Sequence, residues 1–310
     1  MPSLFTHYIF LKRKSQDFSN ITLLGSQGPD PFFFYFVHVP QSKKIKKVCA
    51  LGSTLHKIDP ANIFIEFIKI IEEETSVENK RIIQDFLIGL MAHYSLDRTA
   101  HPYIFYKSGF NVGEENNKRF FTDHSRLESY IDALIMNKEN IFPSIKEVFR
   151  ISKADSKIVS KSFYKVIKKI INIDEIDENT YYEAIKRMKF TYNVLYSKTG
   201  IKNSIFRKIA NNTPLESFSN PAIKNIPSID YLNLKHVSYK DCVTGEERGN
   251  KDFFGLMDEG FEYFKKLESV LYSSNSLKEK ENTLFELTSS INHDGFAVGM
   301  DKIYYQSFFK

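Results

Sequence analysis

A chain of 310 residues is long enough for one large core, or one core with an appended subdomain, and 42% apolar against 26% charged residues excludes the disordered class. The net charge of +5 is compatible with anionic substrates but falls well short of the concentrated basic stripe of a dedicated nucleic-acid binder. Twenty-eight Phe and 17 Tyr without any Trp predict a core built on aromatic rings.

The opening MPSLFTHYIFLKRK lacks a basic stretch ahead of its apolar residues and lacks a small-residue cleavage site, so no secretion signal is expected. No apolar run is long enough to cross a membrane. Cys49 and Cys242 have neither CxxC spacing nor the density of a disulfide scaffold, and they read as reduced thiols of a cytoplasmic protein. After an N-terminal segment and a Gly/Pro-bearing loop from Gly25 to Pro40, apolar residues recur at three- and four-residue steps, which predicts an all-α fold. The SKKIKK cluster at 42–47 reads as a solvated loop, or as a draw for phosphate-bearing groups or an anionic surface.

The first clear helix runs from about Pro60 to Glu74, with Asp59 suited to cap it. A second spans roughly Val77 to Ala100 and should stop near His101, because Pro102 disfavours helical backbone in the residue before it. Gly109 to Arg119 is polar and reads as a loop, after which Thr122 or Asp123 caps a helix to about Met136. Further helices are expected at 143–152, 155–172, 177–197, 250–273 and 277–291. Three prolines and little periodicity over 211–249 divide a helical metal-binding core, 1–210, from a C-terminal helical extension, 211–310.

Six of the eight histidines fall before residue 125, mixed with acids at helical spacing. His93 and Asp97 are four apart, so they stack on one helix face and can reach a single ion, and His101 follows four residues later. His124 and Glu128 repeat the device on the next helix, while His7, Asp30 and His56 add nitrogen and oxygen donors from separate segments. Eight candidate ligands are too many for one tetrahedral ion. A lone pair of this kind is ordinarily a surface hydrogen bond, but two pairs with further donors in one region favour metal binding. His38, His236 and His293 have no comparable acid at helical spacing and are assigned to structure or surface.

The order His7, Asp30, His56, His93–Asp97, His101, His124–Glu128 resembles the zinc-dependent phospholipase C family, which is similar in fold to the fungal-type single-strand zinc nucleases. The likeness covers about residues 5–135, and the strings GPDPFFFY and AHPY resemble intracellular bacterial members of that family. It implies two or three zinc ions: one on Asp30, His56, His93 and Asp97, a second on His101, His124 and Glu128, and a third sharing Asp97 with His7. Secreted members complete the third site with an N-terminal Trp, which this chain lacks; the Pro2 amine, after loss of Met1, is the expected substitute. The implied activity is phosphodiester hydrolysis by a metal-activated hydroxide, with Asp30 also orienting or deprotonating the water. Phospholipid stands first among substrates, with peripheral membrane contact, and PFFFYF reads as core or as a greasy rim at the active site. A single-strand nuclease and a non-catalytic metal-binding scaffold are the alternatives.

Overall fold

The structure is a computed structural model, and it describes residues 4–300 apart from 16, 38, 41, 110–116, 211–215 and 217, and apart from the side chains of 117–121. It is all-α. The helices are α1 (Leu4–Lys12), α2 (Asn20–Gly25), α3 (Lys43–Lys57), α4 (Ala61–Glu73), α5 (Val77–Ser108), α6 (Asn117–Glu139), α7 (Ile145–Val148), α8 (Lys153–Ile170), α9 (Thr180–Leu195), α10 (Ile201–Ile209), α11 (Phe253–Tyr272) and α12 (Leu277–Thr288). A 3-10 turn covers Asp30–Phe34, and a two-stranded antiparallel ribbon pairs β1 (Tyr239–Lys240) with β2 (Glu247–Gly249). No described helix is long and apolar enough to cross a membrane.

The 32-residue α5 is the axis of the molecule, buried almost continuously from Phe86 to Ser108, with α2, α4, α8 and α11 packed along it. Gly25 and Gly89 let α2 and α5 meet backbone to backbone: a Cβ on Gly89 would stand 2.3 Å from the Thr22 carbonyl oxygen. Rings of Phe32, Phe67, Phe86, Phe163 and Tyr181 interlock with centroids 4.8–5.9 Å apart, giving the aromatic core that the composition implies. The C-terminal residues read as an extension enter the same core, where Phe253, Leu256, Met257 and Phe264 are buried with residues of α5.

Three expectations change, and one segment left without a reading gains one. α5 does not stop near His101 but carries Pro102 inside it and runs on to Ser108, because Ala100, Tyr103 and Ile104 are buried in the core on either side of the proline. The lysine cluster is not a loop: Ser42 caps α3 by accepting from Ile45 N–H, and Ile45, Val48, Leu51 and Leu55 turn a buried face inward. Thr122 and Asp123 lie within α6 rather than at its start. The apolar N-terminal segment is a helix, α1, buried from Leu4 to Leu11.

The first turn of α1 is held from α6. The Asp132 carboxylate accepts from Phe5 N–H at 3.2 Å and from Thr6 N–H and Thr6 Oγ1 at 2.7 Å each, satisfying N–H groups that a helix leaves open. Replacing it strands buried donors, so Asp132→Ala is expected to lower stability by about 2–3 kcal/mol, read as a reduced urea midpoint at unchanged slope; an unaltered midpoint would show that α1 is anchored otherwise.

Candidate metal centre

Four helices and the 3-10 turn deliver eight donor side chains to one interior region. α5 presents His93, Asp97 and His101 at four-residue steps, α1 supplies His7, α3 His56, α6 His124 and Glu128, and the 3-10 turn Asp30. None is more than 9% exposed. Three groups have donor atoms that all lie within 4.8 Å of one another and can hold a metal: Asp30, His56 and His93; His7, His93 and Asp97; and His101, His124 and Glu128.

Asp97 joins them. Its Oδ1 is 3.2 Å from His7 Nε2 and 3.8 Å from His101 Nδ1, while its Oδ2 is 3.0 Å from His93 Nε2 and 3.5 Å from His56 Nε2. Asp30 Oδ1 stands 3.2 Å from His56 Nε2, and Glu128 Oε1 lies 3.2 Å from His124 Nε2 and 3.7 Å from His101 Nε2.

Whether these donors suit a cation can be decided from their protons. His56 Nδ1 is 2.7 Å from the Gly52 carbonyl, His93 Nδ1 is 3.0 Å from the Ser26 carbonyl, and His101 Nδ1 is 2.7 Å from the His293 carbonyl. Carbonyl oxygens only accept, so each Nδ1 carries the hydrogen and a neutral ring then turns a lone pair outward at Nε2. His56 Nε2 and His93 Nε2 face each other at 3.4 Å beside Asp30 and Asp97. Two lone pairs so placed repel unless a positive charge, a proton or a metal ion, lies among them. Both Asp30 oxygens and Asp97 Oδ2 are buried and have no hydrogen-bond partner while the facing Nε2 atoms carry no proton, which leaves them open to the same charge. Donors bound at about 2.0–2.1 Å around one tetrahedral zinc stand about 3.3–3.4 Å apart, close to the separations seen here, so the residues fit the metal that the donor chemistry implies.

The electrostatics agree. Burial pushes the Asp97 carboxyl up, but His93, His101 and His7 together with the hydrogen bond from His56 hold it well below the carboxylate range. Burial lowers the His56 imidazole, yet the hydrogen bonds and charges of Asp30 and Asp97 raise it to about 10. His101 is likewise depressed by burial and raised, chiefly by Asp97 and Glu128, to about 9. His93 goes the other way, lowered by burial. In the metal-free protein, protons on His56 and His101 therefore compensate the buried carboxylates.

Local backbone keeps the rings in place. Gly28 has φ 53°, and a Cβ there would lie 2.3 Å from His93 Cδ2, so only glycine leaves room for the ring. Tyr181 Oη donates to the Gly28 carbonyl at 2.5 Å and fixes the turn that leads into Asp30. Of the aromatic run, Phe32 and Phe34 are core, Phe33 lies 5.7 Å from the His56 ring, and Phe36 alone is largely exposed.

One residue of the region was not anticipated. His293, assigned above to structure or surface, is 3% exposed with its ring 4.8 Å from that of His56 and 5.5 Å from that of His93. Its N–H donates to the His56 carbonyl at 3.1 Å and its carbonyl accepts from His101. Asn292 Oδ1 shapes the loop by accepting from Asp294 and Phe296 N–H. No sequence signal marked it, because it meets the helical ligands mainly through its main chain. His236 is surface-exposed with φ 53°. The Pro2 amine, His38 and the loop at 110–116 lie outside the described residues. Comparison with protein-family models, with curated proteins and with solved structures gives no match.

Two outcomes follow from this geometry. His56 and His101 titrate higher in the folded chain than the ~6.5 of an unfolded histidine, so the stability they contribute is complete below about pH 6.5 and is lost as pH rises through about 9 and 10. Metal-free protein should thus lose thermal stability from pH 7 to 10 and zinc-loaded protein markedly less, since a bound ion replaces those protons; parallel curves would contradict the assignment. Gly28→Ala should displace the His93 ring and weaken zinc binding by about 10–100-fold in a chelator competition, whereas wild-type affinity would show the ring has room to shift.

Proposed function

We propose that the protein is a metal-dependent phosphodiester hydrolase of the zinc-dependent phospholipase C type. The observation that carries this reading is the arrangement around Asp97: one buried carboxylate shared between donor groups, each able to hold an ion, in the ligand order that the sequence resembles. Zinc suits the nitrogen and oxygen donors, and two or three ions suit their number. When bound, such ions supply Lewis acidity toward phosphoryl oxygens and bring a water's pKa toward neutrality.

The chain's own residues supply the rest. Asp30, whose buried carboxylate stands 3.2 Å from His56 Nε2, is the group that orients the attacking water or takes its proton. His56, His93 and His101, each clamped through Nδ1 to a carbonyl, keep their donors fixed during reaction. Phe33 beside His56, and Phe105 at 5.5 Å and 5.2 Å from the His101 and His124 rings, exclude water from the approaches. Phospholipid is the substrate class we favour, on the ligand order that resembles the phospholipase C family. Two free thiols fit a reducing compartment such as the cytoplasm.

The test is turnover of bis-p-nitrophenyl phosphate alongside metal content by elemental analysis. Zinc-loaded protein should hydrolyse the ester and lose activity to a chelator, and Asp30→Asn should reduce turnover by about 100- to 10,000-fold while retaining zinc at saturating concentration. Bound zinc without turnover would make the protein a metal-binding scaffold instead.

A further inference from the structure

α10 is amphipathic the wrong way round. Its one fully buried residue is Asn203, whose Nδ2 donates to the Glu216 carbonyl at 3.2 Å, to the Ser219 carbonyl at 2.9 Å and to Ser219 Oγ at 2.9 Å. Its isoleucines point outward: Ile201, Ile205 and Ile209 are 60%, 51% and 74% exposed. Steps of four residues align them as one ridge, opposite the asparagine that ties the helix down. A ridge of β-branched apolar side chains held in water by a polar anchor has the form of a contact surface.

The charges beside the ridge identify the partner. Lys202 and Lys208 border it, Lys198 precedes the helix, and Arg207 lies on its last turn. The sequence has no Asp or Glu between Glu183 and Glu216, and no described carboxylate forms an ion pair with any of these four cations. Lys202 Nζ and Arg207 Nη1 reach only main-chain oxygens, of Asn193 and Asn225. Apolar side chains between cations that no described carboxylate pairs, Lys198 having Glu147 only as a more distant charge, complement a surface that is apolar inside and anionic at its rim. The helix is nine residues long and cannot span a bilayer. It is also joined to the candidate centre: the Ser219 carbonyl that holds Asn203 accepts from Ser129 Oγ, next to Glu128 on α6.

We propose that α10 docks the protein on an anionic lipid surface, with Ile201, Ile205 and Ile209 entering the headgroup boundary and the flanking cations against the lipid phosphates. The inference names the physical state of the substrate, and it rests on the phospholipase reading only for its purpose; the docking itself stands on the helix. The whole zinc-loaded chain should co-sediment with phosphatidylcholine–phosphatidylserine vesicles, more weakly as salt rises, and far less with phosphatidylcholine alone. Ile205→Glu should weaken vesicle binding at least tenfold, and Lys202→Gln or Lys208→Gln by about fivefold each, with zinc content and bis-p-nitrophenyl phosphate turnover unchanged. Absent vesicle binding, or binding indifferent to Ile205→Glu, overturns the proposal. So does a dimer that Ile205→Glu dissociates, which would give the ridge to a second copy. Vesicle binding by a protein without turnover would instead remove the hydrolase reading and leave the docking intact.

Discussion

Asp97 lies buried on the central helix with imidazole nitrogens of four histidines from three helices within 3.0–3.8 Å. A carboxylate removed from water costs several kcal/mol unless positive charge is brought to it, and this requirement orders much of the interior. It accounts for a histidine on α1, which is otherwise apolar almost throughout, and for another near the end of α3. Asp30 and Glu128 extend the demand to either side, and protons on His56 and His101 meet part of it. The donors reach α5 from α1, α3, α6 and the 3-10 turn, while α2, α4, α8 and α11 pack along it without supplying any.

The second constraint is orientation. Three of the rings are fixed by carbonyls from three places in the chain, Ser26, Gly52 and His293. A backbone acceptor cannot swing away as a side chain does, so ring angle becomes a property of the fold. The glycine contact between α2 and α5 is what brings the Ser26 carbonyl within reach of His93. Packing of the smallest residues thus sets the aim of a large polar one.

Most of the site was legible because its pairs are local. His93–Asp97 and His124–Glu128 are i, i+4 neighbours, and helical periodicity alone places each pair on one face. That Asp30, His56 and His7 would join them rested on resemblance, since nothing in periodicity brings separate segments together. His293 was invisible, as its contributions are main-chain contacts that any residue type can make in principle. Helix ends failed where tertiary packing outweighed local preference: Pro102 did not end α5, and the lysines after Ser42 did not prevent α3. α10 was missed because it is only nine residues long and follows closely on the helix expected at 177–197.

The contact between His101 and His293 spans 192 residues of sequence. Closing so long a loop carries an entropic cost, whereas the helical pairs on α5 and α6 need only those helices to form. A partly folded chain therefore has donors without the carbonyl that aims His101. On the proposed reading it would bind metal more weakly than the finished one, and tight uptake would report that the far end of the chain has docked. An ion would then be drawn preferentially to molecules that have completed their fold.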